Sequence, residues 1–114
     1  NVPDAVLIRG VEPLEGIPVM LQRCGKKEPD VSIGRGPGNA GRALGITTTH
    51  SGIDLQNKLF FIGEEKSSLF ETCVSRRIGV DYAGDHAKWL FRFFLHKHPQ
   101  VTKHAVNKEA VLLL

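Results

Sequence analysis

Residues 4–11, D-A-V-L-I-R-G-V, form a run of apolar and β-branched positions broken by one charge, Arg9. A short apolar run bounded by turn residues predicts a strand, closed here by Pro13 and Gly16. Residues 22–32 are polar and charged, with Gly25 and Pro29, and predict a loop. Residues 33–46, I-G-R-G-P-G-N-A-G-R-A-L-G-I, place glycines and a proline ahead of a short Ala/Leu segment. That order predicts a loop feeding a short helix over 39–44, with Gly45 as its stop. Residues 47–52 are polar and end in the turn signal Ser51–Gly52. Residues 58–62, 72–80 and 89–95 read as three further strands, with Arg76 and Arg77 inside the second and Arg92 inside the third. Residues 82–85 separate these two as a turn. Pro99 breaks the last run and Val101 resumes it. The tail from His104 has helical composition and an apolar end, residues 111–114. No internal repeat, linker or low-complexity tract appears. The fold class expected is α+β, with more strand than helix.

A length of 114 residues leaves room for one domain or part of one. Hydrophobic residues at 41% and charged residues at 24% argue against disorder, collagen and coiled coil. No apolar run approaches the ~20 residues of a membrane-spanning helix. The sequence opens on Asn1 with neither an initiator Met nor a signal-like apolar region, so it reads as part of a longer polypeptide. Net charge is +3, and it is unevenly placed. Residues 74–104 hold Arg76, Arg77, Lys88, Arg92, Lys97 and Lys103 against Asp81 and Asp85, together with His86, His96, His98 and His104. A basic stretch of this kind is either the footprint of a polyanion partner or a solvated face. Cys24 and Cys73 are too few for a disulfide scaffold and read as free thiols in a reducing compartment.

Arg9 is too costly to bury unpaired, so it must reach a cleft, an anion or solvent. Gly36-x-Gly38-x-x-Gly41 matches the dinucleotide fingerprint by letter. The helix behind it is too short for a crossover, however, and no acidic residue falls at the required distance. Two readings of this loop stay open: a tight turn before a helix, and a backbone cradle for an anion such as phosphate. His96 and His98 alternate on an expected strand and share a face, but no third ligand joins them, and no metal site is expected. Neither cysteine has a positioned histidine, and no G-x-S-x-G elbow is present. Glu64–Glu65, Asp81 and Asp85 read as surface carboxylates. Glu12 and Glu15 read as turn structure.

Taken in order, the segments resemble the alkyladenine (3-methyladenine, methylpurine) DNA glycosylase family of base excision repair. V-L-I-R-G-V-E-P-L-E-G, residues 6–16, is similar to the family's V-L-[IL]-R-A-[IL]-E-P-L-E-G. G-P-G-N-A-G-R-A-L-G-I, residues 36–46, is similar to G-P-G-K-L-x-x-A-L-G-I, with Asn39 in place of the usual Lys and Ala40 in place of Leu. Asp54–Leu55 fits the D-L that follows. R-I-G-V-D-Y-A-G, residues 77–84, is similar to R-[IV]-G-[IV]-x-x-A-G. R-F-F-L and P-x-V-T within residues 92–102 fit the closing strand and exit. The aromatic spacing before that strand is altered, reading Trp89–Leu90–Phe91–Arg92–Phe93. The resemblance covers roughly residues 5–103.

The resemblance implies an α+β fold, mostly an antiparallel curved β-sheet with short helices. It implies hydrolysis of the N-glycosidic bond of a flipped, alkylated or deaminated purine. Arg9 falls on the arginine that positions the water and the flipped nucleotide. Gly38, Asn39 and Thr48 fall near DNA phosphates, and Ile78 and Gly79 fall at the water and the DNA backbone. Arg76, Lys88 and Lys97 are further candidates for nonspecific contacts. No metal and no organic cofactor is implied. The family's water-activating Glu, in an E-T-E-A-Y segment, and its wedging Tyr both lie N-terminal to the matched region and do not occur here. The expectation is therefore that residues 1–103 are the C-terminal portion of a single glycosylase domain and 104–114 a tail. On that view the chain alone is inactive, and its partners are double-stranded DNA with damaged purines and the missing N-terminal half of the same protein, with no membrane. The location would be the cytoplasm (nucleoid) of a bacterium or the nucleus of a eukaryote, not the outside of the cell. A non-catalytic nucleic-acid-binding module is the alternative.

Overall fold

The computed structural model describes residues 4–65 and 70–113. The opening Val2–Pro3, Lys66 and the final Leu114 lie outside the described residues. The chain divides into two compact units, Asn1–Ser67 and Ser68–Leu114.

The first unit is built on two seven-residue helices, α1 (Ile17–Arg23) and α2 (Pro37–Ala43). Gly16, at φ +70°, turns the chain into α1, and Pro18 sits in the first turn, where its missing N–H costs nothing. At the end of α1, Lys26 N–H donates to the Leu21 carbonyl and Gly25 N–H to that of Gln22. At the end of α2, Ile46 N–H donates to Gly41 and Gly45 N–H to Arg42. Each pair is a Schellman closure, which requires the left-handed backbone that Gly25 (φ +67°) and Gly45 (φ +69°) supply. Between the helices lies a 3₁₀ turn, Val31–Gly34, whose N-cap Asp30 accepts Ser32 N–H at 2.7 Å and Lys26 Nζ at 3.0 Å. Those contacts, the Ser32 amide first, lower the Asp30 pKa to about 2. Among the described residues of this unit, the buried apolar side chains are Leu21, Ile33, Ala40 and Ala43.

Two expected strands of this unit do not form. Residues 4–9 carry no regular structure, and Gly10 makes a single bridge to Arg35. Residues 58–62 are held by one bridge, Gln56 to Phe61, inside a tight loop. Both runs have the composition of strands, but a strand also needs a neighbouring backbone along its length, and neither has one among the described residues. α1 was not expected at all: seven residues with a proline among them are too short to show helical periodicity. α2 begins two residues ahead of its predicted start because Pro37 opens its first turn.

The second unit carries a three-stranded antiparallel sheet, β1 (Thr72–Ser75), β2 (Arg92–Leu95) and β3 (Val111–Leu112), in the order β2-β1-β3. Cys73 pairs with Phe94 on one side and Leu112 on the other. Both long strand predictions shorten. β2 starts only at Arg92 because Trp89 N–H and Phe91 N–H close local turns onto His86 and Trp89. The expected turn at 82–85 is a kink at Gly84 inside a 3₁₀ segment, Asp81–Lys88. The tail forms a 3₁₀ turn, Ala105–Glu109, capped by His104 Nδ1, and then joins the sheet as β3. Arg92, only 5% exposed, donates to Ser75 Oγ (3.1 Å) and Asn107 Oδ1 (2.9 Å), and it lies 4.3 Å from the Phe94 ring centroid. Asn107 donates in turn to the Thr102 carbonyl. One buried guanidinium thus ties β1, β2 and the tail together. The fold is α+β with short helices and an antiparallel sheet, and among the described residues helical ones outnumber strand ones.

Candidate nucleic-acid interface

Arg9 is half-buried and, among the described residues, has no hydrogen-bond or ion-pair partner. The residues before it, Val6 (88% exposed), Leu7 and Ile8, are open to solvent. The residue after it, Gly10, bridges Arg35, and Val11 N–H donates to the Gly34 carbonyl at 2.9 Å. The approach is so close that a Cβ on Gly34 would overlap the Val11 carbonyl oxygen and touch Pro13. Arg9 and the glycine-rich loop, Gly36 to Gly41, therefore leave the same backbone junction. The sequence reading missed Gly34, although it lies at the head of that glycine cluster.

Gly36 turns into α2 at φ +86°. The first-turn amides of Gly38 and Asn39 have no partner within the helix, as at any helix start. The Asn39 side chain donates to the Arg35 carbonyl at 3.1 Å. That bond uses one of the two N–H donors of the side-chain amide and holds it against the loop, beside the free backbone N–H. At the other end of α2, Arg23 Nη1 donates to the Ala43 carbonyl at 2.9 Å, which places a cation at the negative end of the helix. Thr48 is exposed at the start of a 3₁₀ turn, Thr48–His50. Thr47 N–H donates to His50 Nδ1 (3.0 Å), and the His50 ring meets Phe60 edge-on.

In the second unit, Ile78 is half-buried and Gly79 is exposed at φ +73°, with open space where a Cβ would stand. Gly79 is thus required by its backbone angle and not by crowding. Arg77 beside it donates to the His86 carbonyl at 3.1 Å. Arg76 forms an ion pair with Glu109 at 2.9 Å, which raises the Arg76 pKa and lowers that of Glu109. That pairing partly satisfies the charge of Arg76. Lys88 and Lys97 are exposed.

Two readings of single residues are corrected. His96 and His98 do not share a strand face, because β2 ends at Leu95 and Lys97 turns left-handed at φ +52°. Cys73 does have a histidine beside it, with Sγ 3.3 Å from the Nδ1 of His96, the residue that follows β2. Both cysteines are free thiols. Among the described residues, no helix is long and apolar enough to cross a membrane.

A scan against protein families matches residues 1–99 to the family described as Methylpurine-DNA glycosylase (MPG). The chain belongs to this family. Among curated proteins it is 38% identical over 110 residues to a Clostridium novyi (strain NT) protein named "Putative 3-methyladenine DNA glycosylase", covering 90% of this chain and 54% of that protein. Proteins of the same name from Bdellovibrio bacteriovorus and Bacillus cereus (strain B4264) are 40% and 37% identical over 105 and 111 residues. Each alignment covers 89% of this chain, and 51% and 54% of the respective relative. The chain spans about half the length of the curated relatives it matches.

Proposed function

We propose that residues 1–103 are the C-terminal portion of a monofunctional DNA-3-methyladenine glycosylase domain, which hydrolyses the N-glycosidic bond of damaged purines in double-stranded DNA. The family match over residues 1–99 carries this reading. The junction that joins Arg9 to the glycine-rich loop gives it a physical form. The target bond is out of reach inside a duplex, so the nucleotide leaves the stack at a cost of a few kcal/mol, least for a damaged or mispaired base. Water then attacks C1′, the purine departs, and a carboxylate takes the water's proton. That carboxylate belongs to the N-terminal half of the domain, the partner of this chain in catalysis. Arg9 meets the phosphate at the flipped nucleotide and positions the water. Its planar head suits a bidentate anion contact that lysine cannot reproduce. The backbone amides of Gly38 and Asn39, with Thr48, Ile78 and Gly79, contact the flanking DNA backbone. The place of action is the compartment that holds the genome.

The test is base release from duplexes containing 3-methyladenine or hypoxanthine, assayed with the full-length protein and with the 114-residue chain alone. Release by the full-length protein, with none by this chain, is expected. DNA binding with no release by the full-length protein would return the chain to a non-catalytic binding module.

A further inference from the structure

Four side chains of the second unit form a closed set of ring and cation contacts outside its buried core. The His86 imidazole stacks on Trp89, with centroids 3.9 Å apart and planes at 19°. Trp89 meets Phe91 edge-to-face at 5.4 Å. The Arg77 guanidinium lies 5.9 Å from the Phe91 centroid and donates to the His86 carbonyl. Despite these contacts, Trp89 is 46% and Phe91 57% exposed, and His86 is exposed. The contacts fix the rings in place and cover one face of Trp89, so a ligand stacking on the other face has little side-chain ordering left to cost it. Lys88, exposed beside Trp89, adds a further cation, and exposed Asp85 beside His86 is the neighbouring carboxylate.

From this geometry we infer that Trp89, braced on one face by His86 and at its edge by Phe91, offers its other face as a stacking platform for an unpaired nucleobase, with Lys88 near its phosphates. π-faces interleaved with cations are the pattern by which proteins hold single-stranded nucleic acid without reading its sequence. An apolar protein partner would be poorly served by a guanidinium and an imidazole among the rings. The inference rests on the DNA-binding reading above and adds to it a contact to bases where that reading has contacts to backbone.

The experiment compares a short fluorescent oligothymidylate with an abasic phosphodiester chain of equal length, using the full-length protein and anisotropy as the readout. The wild type is expected to bind the oligothymidylate about tenfold more tightly, the scale of one stacked base. Trp89→Leu should bring that preference to near unity, and Lys88→Ala should weaken both ligands alike. A second readout needs no substitution at the platform's other rings: the emission lost in Trp89→Phe relative to wild type should be quenched by the oligothymidylate and not by the abasic chain. Equal binding of both chains by the wild type, or a preference that survives Trp89→Leu, overturns the inference. Lesion excision measured on the same preparation separates the two claims. Excision without base-dependent binding removes the platform alone, and base-dependent binding without excision removes the glycosylase reading alone.

Discussion

In the first unit the decisive contact is between two backbones, where Val11 and Gly34 approach so closely that no side chain fits between them. In the second it is between side chains, where Arg92 gathers Ser75 and Asn107 around a buried guanidinium. The first unit buries only Leu21, Ile33 and two alanines among its described apolar residues, and leaves Val6, Leu7, Ile8, Phe61 and Ile62 open. Its shape depends on glycines that permit turns and close approach. The second unit holds its strands and tail together with a polar network, and a network fails when one member is removed. The difference shows where each unit is vulnerable: one to an added atom, the other to a deleted hydrogen bond.

The largest effect should come from adding a single carbon to the first unit. Gly34→Ala forces its Cβ into the Val11 carbonyl, a rigid neighbour. Overpacking of this kind costs about 3 kcal/mol, to be read from urea unfolding. If Gly34→Ala is tolerated, the two backbones are not in the contact that joins Arg9 to the glycine-rich loop. In the second unit, Arg92→Met keeps much of the volume and deletes the donors. Stranding the Asn107 amide oxygen, and leaving the buried Ser75 hydroxyl only its bond to the Arg76 carbonyl, should cost about 2 kcal/mol. Adding Ser75→Ala to Arg92→Met should cost much less than the sum of the single changes, because the two groups share one bond. Additive losses would remove the Arg92–Ser75 bond from the network.

The smallest effect is confined to acid. The Asp30 carboxyl has a folded pKa lowered from 3.8 to about 2. A depressed carboxylate stabilises the fold above its unfolded pKa and loses that contribution as pH falls through the folded one. The stability difference between wild type and Asp30→Asn should therefore be constant near neutrality, shrink below 3.8 and disappear below about 2. A difference that does not change with pH would remove the cap from the account of the first unit.

What could be read from the sequence depended on how local the cause was. α2 and its stop were legible because Pro37 and Gly45 act on their own residues. The turn at 82–85 was legible for the same reason, through Gly84. The strand at 72–80 was half right: Thr72–Ser75 pairs on both edges, whereas the residues after Ser75 have no partner strand among the described residues. Composition cannot say which backbone lies beside a run, which is why residues 4–11 and 58–62 read as strands. Arg9 stood out as a charge in an apolar run, and its site reading came from the family pattern. The platform of His86, Trp89 and Phe91 was hidden. Ring contacts across three and two residues depend on the kinked 3₁₀ segment and the turn after it, and neither has a periodic signature.

The most direct test of the account is single-turnover excision by the full-length protein carrying Arg9→Ala or Arg9→Lys, with thermal melting of the same samples. Arg9 has no partner among the described residues, so its removal should leave the melting temperature nearly unchanged. Lesion-DNA affinity should fall by about 2 kcal/mol, the scale of a charge-assisted hydrogen bond, and excision should slow as the water loses its positioning. Arg9→Lys should recover only part of each. Full excision by Arg9→Ala, or a loss accounted for by unfolding, would contradict the assignment of Arg9 to the DNA.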